Sequence, residues 1–338
     1  MDIEKLKKIL EDRGEPKYRF SQIYKAVFFD LIFDFSQMTN LSKELREILS
    51  KEITPFSLKI KTIQKGKEVD KDLFELEDGN CIETVLMKHN YDRKTVCISS
   101  QVGCPLGCKF CATGKMGFIR NLDSQEIVDQ VLFFAKEEKD KKLNVVFMGM
   151  GEPLLNYDNV LQAIRVLNDK NGFNLSIRSI SISTAGIIPG IKKLMNENLQ
   201  LNLAISLNSP NEKQRTEIMP VNQQYSLKEL MAVAKEYVKK TNKKLFFEYV
   251  LLDGINDDLE SSKQLIKLLD KEPLFHINLI RYNNTSTQFR SSSIKTIEKF
   301  KKELEKNNIN VTLRYSFGKE IKAACGQLST TSNCFNVD

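Results

Sequence analysis

From about residue 94 onwards, strand-like and helix-like stretches alternate regularly. Six short runs rich in apolar and β-branched residues predict strands, at residues 94–99, 144–148, 177–183, 201–206, 245–251 and 275–280. The stretches between them show helical spacing of apolar residues, at about 123–136, 160–167, 191–196, 227–239 and 261–269. Parallel strands require long crossover connections, and helices usually provide them. We therefore predict an α/β fold built as an open, partial (βα)6 barrel, completed by a helix at 294–306 and a strand at 310–314.

The first 93 residues have a different pattern. Residues 1–52 carry three short apolar stripes of helical period, which predict a small helical accessory domain with a possible role in binding RNA. Residues 53–93 alternate apolar and polar side chains, which predicts a β-hairpin extension. We therefore predict three regions, at 1–52, 53–93 and 94–338, of which the last is the barrel and a C-terminal loop.

Composition limits the classes of protein to which the chain can belong. The 338 residues are 41% hydrophobic and 28% charged, which is ordinary for a globular protein. No apolar run approaches the 18 residues that suggest a membrane span, and no secretory signal precedes the chain. We therefore expect a cytoplasmic protein, in a compartment where thiols stay reduced.

The net charge of +7 is concentrated near the C-terminal end. Between Arg281 and Cys325 the sequence has ten Lys and Arg residues against four Glu residues. A basic face of this kind suits a polyphosphate partner such as RNA. A solvated amphipathic helix over residues 294–306 explains part of the same excess, so charge alone leaves both interpretations open.

A cysteine-rich loop follows the first barrel strand. Cys104, Cys108 and Cys111 have the spacing C-x3-C-x2-C, and Gly103, Pro105 and Gly107 let the backbone curl around an inorganic centre. Sulfur ligands suit zinc or an iron–sulfur cluster, and three of them leave one metal position open. We expect a three-cysteine [4Fe-4S] cluster, while a structural zinc site in a non-catalytic RNA-binding protein and a set of disulfides remain alternatives.

Polar residues stand at the ends of several predicted strands. Because the carboxyl ends of parallel strands meet at one face of a barrel, such residues can form one site. These residues are Glu152, Ser183, Ser206, Asn208 and Asn283, and Gly151 and Leu207 lie beside them in the chain. Taken singly, each is typical of a turn or a helix cap, but together they predict a cofactor site in which Glu152 can receive an ammonium group.

Two further cysteines and one carboxylate are candidates for chemistry. Cys97 ends the strand before the cysteine loop, and Cys325 lies in a glycine-containing loop after the last predicted strand. The basic neighbours Lys319 and Lys322 are expected to favour the thiolate of Cys325. Glu83 lies within the β-hairpin extension, where position alone predicts a solvent-facing side chain.

The cysteine spacing, with Phe110 before Cys111, resembles the signature of the radical S-adenosylmethionine (SAM) enzymes. That resemblance implies a [4Fe-4S] cluster on Cys104, Cys108 and Cys111, with SAM bound at the open iron. It also implies reductive cleavage of SAM, and therefore an electron donor such as a flavodoxin or ferredoxin.

Several segments together resemble the RlmN type of dual-specificity RNA adenine methyltransferase. They are residues 14–22, 82–85, 97–118, 147–156, 248–252 and 323–328. The resemblance implies methylation of carbon 2 of an adenine in the peptidyl-transferase centre of 23S rRNA and of adenosine 37 in certain tRNAs. It also places SAM contacts at Gly151, Glu152, Ser183, Ser206, Leu207, Asn208 and Asn283.

The same resemblance assigns roles to the two extra cysteines and to Glu83. Cys325 is implied to be methylated by one SAM and to carry that methyl, activated with a second SAM, onto the base as a transient protein–RNA thioether. Cys97 is implied to resolve the thioether through a transient disulfide with Cys325, and Glu83 to accept the proton from carbon 2.

The chain departs from the family pattern at two positions. Asn208 stands where the family usually has His, and Arg281 replaces a usual Pro. An arginine at position 281 resembles the Cfr type, which methylates carbon 8 of the same rRNA adenine. The segment that begins at Pro153 resembles the carbon 2 type. Carbon 2 is the prediction, carbon 8 the alternative, and a monomer is expected.

Overall fold

The computed structural model describes residues 1–89, 92–285, 288–314, 318 and 320–330. Its strands, in chain order, are β1 (Lys59–Lys65), β2 (Val69–Glu75), β3 (Cys81–Lys88), β4 (Lys94–Cys97), β5 (Gln101–Gly103), β6 (Phe118–Asn121), β7 (Leu143–Phe147), β8 (Ile180–Thr184), β9 (Asn202–Ser206), β10 (Leu245–Leu251), β11 (Phe275–Arg281) and β12 (Asn310–Arg314). Its α-helices are α1 (Ile3–Asp12), α2 (Tyr18–Phe28), α3 (Lys43–Glu52), α4 (Ala112–Met116), α5 (Ser124–Glu137), α6 (Tyr157–Asn168), α7 (Ile188–Asn196), α8 (Glu212–Ile218), α9 (Leu227–Thr241), α10 (Leu259–Leu269) and α11 (Ile294–Lys306).

One sheet of ten strands runs through the molecule, in the order β1-β2-β3-β4-β7-β8-β9-β10-β11-β12. In this sheet, β4 and the strands from β7 to β12 pair in parallel, whereas β1 to β4 pair in antiparallel fashion. The predicted α/β class, with a mostly parallel sheet and a helical N-terminal region, is confirmed. The division at residues 52 and 93 stays a prediction.

Two details differ from the sequence-based expectations. β12 pairs in parallel with β11, so the barrel sheet has seven parallel strands rather than six. Residues 177–179 form a 3-10 turn instead of the start of β8, which begins at Ile180. The turn hydrogen bond from the Ser179 N–H to the Ser176 carbonyl uses the backbone groups that a longer strand would need.

The helix boundaries follow local capping chemistry. Asp123 and Glu126 form a capping box at the start of α5, and Ser226 and Glu229 form another at the start of α9. Ser42 caps α3 by accepting from the Leu45 N–H. Within the described part of the chain, no helix is both long enough and apolar enough to cross a bilayer.

The hairpin extension is joined to the barrel through a buried polar group on α5. The Gln130 side chain accepts from the Ser99 N–H and the Thr84 hydroxyl and donates to the Ser99 carbonyl. Each of these groups is fully buried, so each requires a partner. The network fixes β3 against the segment that leads into the cysteine loop.

Candidate active site

A short hairpin holds the cysteine loop. β5 and β6 pair in antiparallel fashion on either side of it, and the Cys104 N–H donates to the Gly117 carbonyl at 2.8 Å. Gly103 has a φ of +75°, and a side chain there would meet the Gly117 oxygen at 1.9 Å. Only glycine fits this closure, so the base of the loop depends on Gly103.

Cys104, Cys108 and Cys111 line one cavity at the carboxyl ends of the parallel strands. Burial raises the pKa of the Cys104 thiol to about 12 and the pKa of the Cys108 thiol well above its usual range, and Cys111 adds to both shifts. Thiols with a raised pKa need a cationic partner to become thiolates, and an iron–sulfur core provides one.

The sulfur donors of this cavity suit an iron–sulfur cluster. Three cysteines line the cavity, and three sulfur ligands leave one iron of a [4Fe-4S] cluster open. A structural zinc ion would need a fourth protein ligand. The residues present therefore fit a [4Fe-4S] cluster.

The residues predicted to form a cofactor site at the strand ends line the same cavity, with one exception. Those that line it are Gly151, Glu152, Ser183, Ser206, Asn208 and Asn283. The exception is Leu207, whose side chain is fully buried and is not part of the lining. Leu207 instead uses its backbone, which donates to the Glu248 carbonyl and accepts from Arg215 Nε.

Glu152 is fixed by backbone amides. Its Oε1 accepts from the Leu154 N–H at 3.0 Å and its Oε2 from the Ala185 N–H at 2.7 Å. Burial raises the pKa of this carboxyl to about 7, although the amide hydrogen bonds oppose the shift. The predicted ability of Glu152 to receive an ammonium group agrees with this environment, because a cation beside it would favour the carboxylate.

Asn208 has a structural role that explains its departure from the family pattern. Its φ is +56°, a left-handed conformation that Asn adopts more readily than most residues. Its Oδ1 accepts from the Val250 N–H at 2.8 Å, and its carbonyl accepts from Asn256 Nδ2. The side chain therefore satisfies a buried donor on β10 and holds the backbone at the cavity wall.

We expect Asn208→Ala to lower the free energy of unfolding by about 2–4 kcal/mol, because it leaves the Val250 N–H unpaired and puts alanine in a left-handed conformation. Asn208→Gly is the matched control, since glycine tolerates the conformation but lacks the hydrogen bond. Chemical unfolding of the three proteins should rank them Asn, then Gly, then Ala. An alanine variant as stable as the parent would contradict this role.

The loop that carries Cys325 is attached to the cysteine loop. The Ala112 N–H donates to the Gly326 carbonyl at 2.8 Å, and Thr113 Oγ1 donates to the Leu328 carbonyl at 2.7 Å. Asn283 Nδ2 donates to the Cys325 carbonyl at 3.3 Å. Cys325 thus faces the cavity that the three cluster cysteines line.

The expected activation of Cys325 by neighbouring lysines is wrong for the described residues. The side chain is open to the cavity, yet the surrounding protein, Cys111 and Glu248 raise the pKa of its thiol to about 12. Arg314 opposes this shift, whereas Lys322 is exposed and is not a cause of it. Lys319 lies outside the described residues. Within the part of the chain that the structure describes, burial outweighs Arg314, so the thiol form of Cys325 is favoured.

Cys97 and Glu83 lie on one face of the sheet. Cys97 is paired with Val85 across β4 and β3, and side chains two residues apart on a strand share a face. Burial raises the pKa of the Cys97 thiol to about 12, and Cys325 is close enough to add to the shift. Cys97 and Cys325 are both free thiols in the structure, with no disulfide between them.

Glu83 is not on the solvent face, contrary to the expectation from its position. The side chain is 1% exposed, and its Oε1 lies 2.8 Å from Lys71 Nζ. Its Oε2 accepts from the Ser329 N–H at 2.8 Å, four residues after Cys325 in the chain. The structure therefore brings the predicted acid–base residue to the loop that bears the second cysteine.

Three charged residues of the site were not predicted to contribute. Glu248 on β10 lines the cavity, and its pKa is raised by burial. Arg215 on α8 is 1% exposed and donates to the carbonyls of residues 185, 206 and 207. Lys71 on β2 pairs with Glu83. A buried charge within an apolar strand was an available signal for Glu248, whereas nothing in the local sequence distinguishes Arg215 or Lys71 from solvated residues.

Comparison with known proteins agrees with this fold and cavity. Residues 98–266 match the model of the radical SAM superfamily, and residues 1–54 match the model of the ribosomal RNA large subunit methyltransferase N-terminal domain. A crystal structure of a radical SAM methyltransferase from Sphaerobacter thermophilus is 40% identical, with a TM-score of 0.93 and 97% of each chain covered. The fold and the three-cysteine cavity thus define a radical SAM enzyme.

Relatives narrow the assignment further. A probable dual-specificity RNA methyltransferase RlmN from Dictyoglomus turgidum is 46% identical over 97% of this chain and 94% of its own length. A protein named ribosomal RNA large subunit methyltransferase Cfr, from Lachnoclostridium phytofermentans, is 44% identical over 96% of each chain. The chain belongs to the RlmN-type family of radical SAM RNA methyltransferases, in which Cfr proteins are also found.

Proposed function

We propose that this protein methylates carbon 2 of adenine in RNA, with 23S rRNA and adenosine 37 of tRNAs as substrates. The observation that carries the proposal is that the Cys325 loop contacts both the cavity of the cluster cysteines and the carboxylate of Glu83. Cys325 lines the cavity of the three cluster cysteines, and its loop contacts Glu83 through Ser329. An ordinary SAM-dependent methyltransferase has no need of this arrangement, because direct methyl transfer requires neither a cluster nor a thiol carrier.

In this proposal, Cys104, Cys108 and Cys111 hold a [4Fe-4S] cluster, and the strand-end residues with Glu152 hold SAM. Bound together, these cofactors supply radical chemistry that can activate a carbon–hydrogen bond. An electron donor of the flavodoxin or ferredoxin class would support that chemistry, and two SAM molecules would be used per turnover.

The residues of the chain perform the remaining steps. Cys325 carries the methyl group as a thioether and delivers it to the base, since carbon 2 of adenine is too electron-poor to attack SAM directly. Glu83 accepts the proton from carbon 2. Cys97 then attacks the sulfur of Cys325, so that the sulfur–carbon bond to the base breaks as a transient disulfide forms.

The relatives named RlmN favour the carbon 2 reaction, and Arg281 suggests a specific alternative to test. Arg281, which resembles the Cfr type, lines the cavity and donates from Nε to Ser291 Oγ at 2.9 Å. Its guanidinium is thus anchored by the loop after β11. Methylation of carbon 8 would be the outcome if this arginine reorients the base.

Mass spectrometry of RNA nucleosides tests the proposal. We expect a bacterium that lacks its own carbon 2 methyltransferase to regain 2-methyladenosine in 23S rRNA and in tRNA when this gene is supplied. A cell that carries Cys325→Ala instead should regain neither. Appearance of 8-methyladenosine would reassign the protein to the carbon 8 reaction, and the absence of both products would contradict the proposal.

A further inference from the structure

Glu83 depends on one cation for its ionised form. The carboxyl is 1% exposed, and Lys71, at 2.8 Å, is itself only 8% exposed. Burial raises the pKa of Glu83, while the ammonium of Lys71 and the Ser329 N–H oppose that shift. A buried carboxyl without a cation takes up a proton rather than remain charged.

The pair is positioned by the sheet and not by a flexible loop. Glu83 on β3 is directly opposite Leu73 on β2, and Lys71 is opposite Val85, so that Lys71 and Glu83 are diagonal neighbours on one face. Strand pairing fixes both Cα positions. The strand register therefore brings Lys71 and Glu83 together.

The pair also borders a second cavity, separate from the one that the cluster cysteines line. Lys71 and Glu83 line it together with neutral residues and with three other charged residues. Those charged residues are Lys115, Glu320 and Lys322. Cys97 is on the same face from β4, but its raised pKa keeps it neutral. Lys71 is thus the one cation among the described residues that forms an ion pair with Glu83.

We propose that Lys71 is a positioning residue that keeps Glu83 ionised and directs its free lone pairs toward the base during proton removal. This inference rests on the proposed function of Glu83. In the step, the proton moves from carbon 2 to a carboxylate oxygen, and the carbon–hydrogen electron pair stays in the purine ring. No electron leaves or enters the protein. Ser329 occupies Oε2, and Lys71 occupies Oε1 at the wall of the second cavity.

The test compares Lys71→Met, Lys71→Arg and Glu83→Gln with the parent enzyme, all reconstituted anaerobically and supplied with RNA, SAM and a chemical reductant. We expect Lys71→Met to accumulate covalent protein–RNA adduct and to form methyladenine at least tenfold more slowly near pH 7. Its acid limb should move to higher pH by about 1–3 units, because loss of a close cation raises the pKa of a carboxyl by that amount. Lys71→Arg should restore turnover and the original pH profile.

The outcomes separate this inference from the proposed function and from a purely structural role. Glu83→Gln should stall at every pH, since an amide cannot become a base. If Lys71→Met turns over at the parent rate with an unchanged pH profile, Lys71 has no such role. A Lys71→Met protein that loses turnover equally at all pH values, without adduct, also overturns the inference. If the parent enzyme itself forms neither adduct nor methyladenine, the failure belongs to the proposed function.

Discussion

Cys325→Ala is expected to abolish both methyladenine and protein–RNA adduct, with a fall in turnover of at least about 10⁴-fold, because it removes the thiol that we propose as the methyl carrier. The Cys325 side chain is open to the cavity. Its loop is held by backbone groups at Cys325, Gly326 and Leu328, which alanine retains. The substitution should therefore leave the fold and the cluster site intact.

Two measurements make the Cys325 result specific. Visible absorption of the reconstituted Cys325→Ala protein should show the iron–sulfur charge-transfer band of the parent, whereas Cys104→Ala should lose it. Peptide mass spectrometry should find a methylated cysteine in the parent and none in Cys325→Ala. A Cys325→Ala enzyme that still methylates RNA would mean that the methyl group reaches the base without this thiol.

Cys97→Ala is expected to give the opposite pattern, in which the reaction starts but does not finish. Cys325 can still carry the methyl group to the base, but no second thiol is available to break the sulfur–carbon bond. We expect about one RNA molecule bound covalently per active enzyme, and multiple turnover reduced by at least about 10³-fold. A denaturing gel followed by nuclease digestion and mass spectrometry of the Cys325 peptide measures the adduct.

The double variant provides the control for this experiment. Cys97→Ala combined with Cys325→Ala should form no adduct, because the attachment point is gone. The single Cys97→Ala protein is expected to fold normally, since Cys97 ends β4 and its backbone pairing with Val85 and Val146 does not need the thiol. Free multiple turnover by Cys97→Ala would refute the role of this cysteine.

Much of the fold could be predicted because it rests on local patterns. The β-branched runs of the strands and the apolar spacing of the helices depend on residues close in sequence, and the structure has these elements at or near the predicted positions. The pairing of β12 beside β11 could not be predicted, since it depends on how the sheet closes over distant residues. The pairing that continues β1–β3 into the barrel sheet also depends on distant residues, so it could not be predicted either.

The site was predicted unevenly for a related reason. The cysteine spacing requires no tertiary information, so the convergence of Cys104, Cys108 and Cys111 at one cavity follows from it. The charge state of Cys325, by contrast, depends on tertiary structure. Burial and the nearby carboxylate of Glu248 raise the pKa of its thiol, and Lys322 is a neighbour only in sequence. Lys71 looks like any exposed lysine of a hairpin until the register of β2 and β3 places it against Glu83.

The continuity of the sheet from β1 to β12 has a consequence for how such enzymes can diversify. The strands that lead to the cluster cysteines and the hairpin that bears Glu83 belong to one hydrogen-bonded sheet, in which β3 pairs directly with β4. If Glu83 is the proton acceptor that we propose, substitutions in the hairpin should change which atom of a nucleobase loses its proton while the cluster cysteines stay unaltered. The antiparallel edge of the sheet is thus the part of this fold that can vary while the cluster site is kept.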